Sequence, residues 1–238
     1  MANDIVVVVP TYNESENIGR LIEEINLLRL PLDILIVDDN SPDGTGEMVE
    51  ALKKRIANID IIHRREKEGL GPAYLEAFRY LLAEGGYKYI VQMDADLSHD
   101  PKDIPRLLEA ASRCDAAIGS RYVKGGGAAS DWGIFRKMIS RYGNFYARVI
   151  AGLEVSDCTA GFKCYRAEAL RSIDLNKKFL NGYGFQVQML YELERKGFKL
   201  CEVPIYFTER RKGASKMSLN IVVEAFFYLL LMRLGIKK

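Results

Sequence analysis

The sequence has little of what several large protein classes require. It contains two histidines, His63 and His99, and four cysteines, Cys114, Cys158, Cys164 and Cys201, with no C-x-x-C pair. Neither a zinc centre nor a disulfide-built scaffold is expected, and the thiols fit a reducing compartment. No G-x-G-x-x-G follows the first apolar run and no G-x-x-x-x-G-K-[ST] occurs, which argues against dinucleotide dehydrogenases and P-loop enzymes. The chain also lacks G-x-S-x-G, so a Ser-His-Asp hydrolase has no support. Charge of one sign is missing too: 34 Lys and Arg against 32 Asp and Glu leave a net charge of +2. No nucleic-acid partner is expected, and any anion site must be local. No apolar run reaches the roughly 18 unbroken residues of a spanning helix. The nearest, Ala225–Met232, is flanked by Glu224 and Arg233. The start, Met1-Ala-Asn-Asp4, has no basic region or small-residue cleavage site and does not read as a signal peptide.

What the chain does contain is apolar material. Of 238 residues 48% are hydrophobic and 28% charged, enough for one sizeable core in one large domain or at most two, and too apolar for disorder. Over the first 120 or so residues, strand and helix signals alternate. Ile5–Pro10 is a continuous apolar run of the kind buried on both faces of a sheet. Asn13 and Glu16 form a capping-box variant ahead of Ile18, Leu21, Ile22, Ile25 and Leu28 at helical spacing. Strands follow at 33–37, 59–62, 89–93 and 116–119, with helices over 45–56, from 69 to 82 and from Pro101. This alternation predicts a three-layer α/β sandwich around a mostly parallel sheet.

In such sheets ligands bind beyond the carboxyl ends of the strands. Three polar clusters fall there: Pro10-Thr-Tyr-Asn-Glu14, Asp38-Asp39-Asn-Ser-Pro-Asp43 and Asp94-Ala-Asp96-Leu-Ser98. Folding should bring them to one rim. Two carboxylates as close as Asp94 and Asp96 repel unless a cation lies near them. Oxygen ligands without His or Cys suit Mg²⁺ or Mn²⁺, which commonly bridge nucleotide phosphates. The alternative is a turn in which one Asp caps the helix beginning near Pro101.

After Arg121 the character changes. Residues 124–130, Gly-rich, read as a flexible loop. A helix over 134–150 mixes Phe135, Met138, Tyr142, Phe145 and Val149 with Arg136, Lys137, Arg141 and Arg148. It can lie on a membrane surface or pack on the sheet with a solvated basic side. Strands are predicted over 161–166 and 199–207, and a helix over 185–196. Arg210, Arg211, Lys212 and Lys216 surround Gly213, an arrangement for an anion or simply a solvated loop. Residues 219–236 read as a helix apolar nearly all round, a pattern expected of a membrane or partner face or of a buried terminal helix. The division expected is residues 1–217 as the globular domain and 218–238 as the apolar C-terminal helix.

Several of these segments resemble a known family. Pro10–Glu14, Val37-Asp-Asp-Asn-Ser-Pro-Asp-Gly44, Asp94-Ala-Asp-Leu-Ser-His99 and Ser120-Arg-Tyr122 are similar to motifs of the inverting family-2 glycosyltransferases of GT-A fold. Asp157–Phe162, Gly182-Tyr-Gly-Phe-Gln186 and Arg210…Lys216 narrow the resemblance to the dolichol-phosphate mannose synthases, in order over nearly the whole chain. The resemblance implies inverting, metal-dependent transfer of mannose from GDP-mannose to a dolichyl or polyprenyl phosphate. Pro10, Tyr12, Glu14, Val37 and Asp39 would hold the nucleoside. Asp94, Ala95 and Asp96 would face the diphosphate, with Asp94, Asp96 and Ser98 as metal ligands. Arg121, Arg136, Arg210 and Lys216 would contact phosphates, Arg136 and Lys178 on the acceptor side. Asp96, Arg121, Arg136 and Lys216 would carry the catalysis. The implied setting is the cytoplasmic face of a membrane (endoplasmic reticulum or cell membrane), with a small membrane subunit as a further partner. Transfer from UDP-glucose or another sugar nucleotide, and a non-catalytic nucleotide-binding subunit, are the alternatives. One departure is Ala214, where the family commonly has Glu. Another is Phe185-Gln186, where relatives with sugar-hydroxyl acceptors carry an acid.

Overall fold

In the computed structural model, residues 3–129 and 134–208 are described, the side chains of 134–137 and 139 excepted. Seven strands form one sheet: β1 (Ile5–Thr11), β2 (Leu32–Asp38), β3 (Ile59–His63), β4 (Tyr89–Gln92), β5 (Ala116–Ser120), β7 (Lys163–Arg166) and β8 (Leu200–Pro204). Their order is β3-β2-β1-β4-β7-β5-β8. β7 alone runs antiparallel to its neighbours, so the sheet is mostly parallel, as expected. The helices are α1 (Ile18–Asn26), α2 (Thr45–Lys53), α3 (Leu70–Glu84), α4 (Ile104–Ala111), α5 (Ile134–Ala151), α6 (Ala167–Arg171) and α7 (Tyr183–Arg195).

Alternation along the strands sorts the core into two layers. Val7, Val9, Ile34 and Ile36 pack with Leu21 and Ile25 of α1 and Leu107 of α4. Val6, Val8, Leu35 and Val37 pack with Tyr74 and Phe78 of α3 and Phe185 and Met189 of α7. A third cluster ties Ala147 and Ala151 of α5 to Leu190 of α7 through Ile118. None of the described helices is long and apolar enough to cross a membrane.

The structure departs from the sequence reading in four places. First, the capping box is not made. Asn13 has a positive φ of 58°, its N–H donates to Ser41 Oγ at 3.0 Å, and α1 starts only after Asn17. Second, the single strand expected over 199–207 is two. Beyond Pro204 the chain leaves β5 and forms β9 (Tyr206–Phe207), which pairs with β6 (Gly127–Ala128) in the segment expected to be a flexible loop. In the turn leading into β6, Gly126 leaves no room for a side chain, because a Cβ there would sit 2.5 Å from the Ser120 carbonyl oxygen. Third, the short α6 gave no sequence signal. Fourth, Cys114 and Cys201 are joined by a disulfide across 87 positions. Spacing could not reveal it, because Cys201 meets Cys114 only through the pairing of β8 with β5. Cys158 and Cys164 are free and buried.

Candidate active site

β1, β2, β4 and β5 end on one side of the sheet, and the segments leaving them enclose a cavity of 490 Å³. Pro10, Tyr12 and Glu14 line it from the β1 end, Asp39 from β2, Asp94, Ala95 and Asp96 from β4, and Arg121 from β5. The three clusters that sequence spacing placed on one rim therefore share one cavity. Val37, Ser98 and Lys178 are not on its wall. Val37 is buried in the core beside Val6 and Val8. Ser98 is fully buried, its N–H donates to Asp96 Oδ1 at 3.1 Å, and its hydroxyl has no partner among the described residues. Lys178 is exposed. Arg136 is in the first turn of α5, with its side chain outside the described residues. Arg210, Lys216 and the unit 218–238, Ala225–Met232 included, also lie outside the described residues.

Adjacent acids at the end of β2 do different work. Asp38 is buried and pins the rim, accepting from Thr11 Oγ1 at 2.7 Å and from Ser41 N at 2.9 Å and Ser41 Oγ at 2.6 Å. Asp39 turns to the cavity, where Arg64 donates to its Oδ1 and the Gly69 N–H donates to its Oδ2 at 3.2 Å. Arg64 is itself held by Glu68 and, through Nε at 2.9 Å, by Glu76. Lys67 places its ammonium 3.8 Å from the Tyr12 ring centroid, a cation–π contact. Arg64 and Lys67 carried no sequence signal, because nothing local marks them as partners of residues more than twenty positions away.

The β4 end carries the two carboxylates. Asp96 is buried, and Leu97 after it adopts a left-handed φ of 60°. That is an uncommon state for a branched side chain. Thr208 secures it, donating from Oγ1 to the Leu97 carbonyl at 3.0 Å and from N to the Ser98 carbonyl at 3.0 Å. The helix-capping alternative falls to a different residue, Asp100, which accepts from Lys102 N at 2.9 Å. No group of three His, Cys, Asp or Glu side chains that could hold an ion exists among the described residues. Asp94 and Asp96 alone supply hard oxygen donors here, of the kind that suits Mg²⁺ or Mn²⁺.

Gly161 faces this pair. A Cβ there would stand 3.0 Å from Asp94 Oδ2 and 3.3 Å from His99 Cε1. Gly161→Ala should displace the Asp94 carboxylate and lower turnover by about ten- to a hundredfold, as misplacement of a positioned group does, with little change in melting temperature. Steady-state kinetics beside a thermal melt checks this.

His99 is buried on the cavity wall, stacked on Phe162 and edge-on to Phe207. The Asp94 N–H donates to its Nδ1 at 3.3 Å, so the proton of the neutral ring is on Nε2. Burial lowers the pKa of this histidine, against the opposing pull of Asp94 and Asp96. The unfolded chain takes up a proton on the ring below about pH 6.5 while the folded chain stays neutral to lower pH. Stability contributed here is present above that value and is lost as pH falls through the window beneath it. Between pH 7 and 5.5, urea unfolding should show a loss of stability that His99→Gln removes.

Arg121 is committed to Asp157. Its Nε and Nη2 donate to the two carboxylate oxygens at 2.7 Å each, and its backbone N–H donates to Oδ2 at 3.0 Å. Nη2 also reaches Thr159 Oγ1 at 2.9 Å. The Asp157 hydrogen bonds raise the guanidinium pKa against the cost of burial. Sequence reasoning marked Arg121 and left Asp157, 36 positions away, without a role. On the β7 side, Lys163 is fully buried, and burial pushes its pKa down to about 7.

This arrangement has counterparts among known proteins. The profile described as glycosyl transferase family 2 matches residues 6–174. The chain belongs to glycosyl transferase family 2. It is 46% identical, over 93% of its length and 90% of the relative's, to an undecaprenyl-phosphate mannosyltransferase of Micrococcus luteus. It is 42% identical, over 93% of its length and 84% of the relative's, to a polyprenol monophosphomannose synthase of Mycolicibacterium smegmatis. Among solved structures it is similar to glucosyl-3-phosphoglycerate synthase from Mycobacterium tuberculosis in complex with Mn²⁺, UDP and glucosyl-3-phosphoglycerate. That match has a TM-score of 0.68 at 20% identity and covers 99% of this chain and 81% of that one. The fold is the expected GT-A arrangement, and the protein is a glycosyltransferase.

Proposed function

We propose that this glycosyltransferase moves mannose from GDP-mannose to the phosphate of a dolichyl or other polyprenyl lipid, with inversion, forming a polyprenyl β-mannosyl phosphate. The two relatives above, named for mannosyl transfer and polyprenyl phosphate, support the reaction class. The observation that carries the acceptor assignment is the wall contributed by α7 and the segment before it. Asn181, Gly182, Tyr183 and Gln186 line the cavity there with no carboxylate or histidine among them. A hydroxyl acceptor needs a base to take its proton. A phosphate monoester, with a second pKa of about 6, is already largely a dianion at neutral pH and needs none.

In this reading Pro10, Tyr12, Glu14 and Asp39 hold the guanosine, with Asp39 oriented by Arg64 and Gly69. Asp94 and Asp96 hold Mg²⁺ or Mn²⁺, which when bound neutralises the diphosphate. Arg121, kept in place by Asp157, offers its remaining N–H groups to phosphate oxygens, and Arg136, Arg210 and Lys216 add positive charge. The acceptor oxygen attacks the sugar carbon in line, the bond to the diphosphate breaks, and its electron pair leaves with GDP. The protein reaches its lipid from the cytoplasmic face of the membrane as a peripheral protein. Support comes from α5, where Met138, Tyr142, Phe145 and Val149 form an exposed stripe beside exposed Arg141 and Arg148.

A lipid-extraction assay tests the proposal. The protein is mixed with dolichyl phosphate, detergent and Mn²⁺, in parallel with labelled GDP-mannose, UDP-glucose and UDP-N-acetylglucosamine, each with an EDTA control. EDTA-sensitive label in the organic phase from GDP-mannose alone is expected. Label from another donor would correct the sugar, and no label alongside metal-dependent GDP binding would overturn the transfer.

A further inference from the structure

Gln186 is 2% exposed, yet its Nε2 has no hydrogen-bond partner among the described residues. Its other amide atom is heavily used. Gln92 Nε2 donates to Gln186 Oε1 at 2.8 Å, and Lys163 Nζ donates to the same oxygen while also donating to the Ala160 carbonyl at 2.6 Å. Gln92 is oriented in turn by the Tyr165 hydroxyl, which donates to its Oε1 at 3.3 Å. Two donors meeting at one end of a carboxamide identify that end as the oxygen, so the NH₂ occupies the other. A buried donor left over in this way is costly unless a bound group accepts from it.

The same wall holds the N-terminus of α7, a helix of 13 residues. Gly182 caps it without a side-chain hydrogen bond, and its first turn carries no acid. The positive end of the helix dipole is therefore not neutralised by a local carboxylate. The segment before it is fixed, with Leu180 N–H donating to Gln188 Oε1 at 2.9 Å. A spare amide donor and a helix N-terminus on one cavity wall both favour an anionic oxygen.

We infer that the α7 wall seats the acceptor's phosphate, and that Gln186 binds it by donating Nε2–H to a phosphate oxygen. This deepens the phosphate-acceptor reading and rests on it. Lys163 and Gln92 are positioning residues that hold the amide in its donating orientation. No proton is transferred at Gln186; it helps orient the oxygen that attacks.

The test is calorimetric titration of the full chain with geranyl phosphate, without any sugar donor, beside titration with GDP and Mn²⁺. Geranyl alcohol is the control for the phosphate. Gln186→Met removes the donor without adding charge, and Gln186→Glu keeps the shape and an ion partner for Lys163. Both should bind geranyl phosphate about tenfold more weakly or worse, as loss of a hydrogen bond to a charged group implies. GDP affinity should stay within twofold. Lys163→Met should show the same split between the two ligands, which a general loss of structure would not give. Unchanged geranyl phosphate affinity in Gln186→Met, or an equal loss for GDP, would overturn the inference. Wild-type protein that binds geranyl phosphate but transfers no mannose would support the acceptor site and overturn the proposed donor. Wild-type protein that transfers mannose but does not bind geranyl phosphate would overturn the inference and leave the proposed transfer standing.

Discussion

Asp96→Asn should lower transfer by about a thousandfold while leaving the fold in place. The size follows from the work assigned to this carboxylate. In the proposed reaction it acts only through the divalent cation it would hold beside Asp94, and loss of one stabilising contact to a departing diphosphate typically costs a factor of about 10²–10³. The substitution is conservative for the fold, because Asn keeps an oxygen to accept the Ser98 N–H that Asp96 Oδ1 accepts at 3.1 Å. The check is a transfer assay across a range of Mn²⁺ concentrations, with circular dichroism melting in parallel. Near-normal turnover in a folded variant would remove Asp96 from the chemistry and leave the cavity without its diphosphate end.

Asp157→Ala should be the most destabilising single change at the site. Asp157 is 0% exposed and Arg121 8% by side chain, so removing the acid strands a guanidinium in the interior. Breaking a buried ion pair from one side costs about 3–5 kcal/mol. For a domain of this size that is on the order of 10 °C in melting temperature. The second substitution, Arg121→Met, should cost less in the Asp157→Ala background than alone, because the stranded charge has then gone. Urea unfolding of the two single variants and the double variant measures this coupling. Strict additivity would mean that the two side chains do not depend on each other, contrary to their paired contacts at 2.7 Å.

The two changes differ in how visible they were beforehand. The place of Asp96 on the cavity wall could be read from the chain, because residues just beyond a buried parallel strand face the ligand rim. Asp157 could not. Its meaning comes from an arginine 36 positions away, and the loop that carries it meets the end of β5 only after β7 has inserted between β4 and β5. Asp38 and Asp39 make the same point at closer range. Side-by-side acids look equivalent in sequence, yet one pins Thr11 and Ser41 while the other faces the cavity beside Arg64. Val37 shows the reverse error. It lies within a recognisable motif, but the strand alternation turns its side chain into the core.

By itself the sequence determined the alternation of strands and helices, the parallel character of the sheet, and the meeting of three polar clusters at one rim. These are local properties. Apolar runs, helical spacing and turn residues act over a few positions, and the rule that ligands lie beyond strand ends converts them into a site. Only the tertiary structure decided which rim residues face inward and which partners hold them. It also decided that residues 200–207 form two strands, that Cys114 meets Cys201, and that the Gln186 amide has a spare donor. Each of these depends on contacts between segments far apart in the chain. Their free energy is realised only when the sheet order has been set, so no local pattern encodes them.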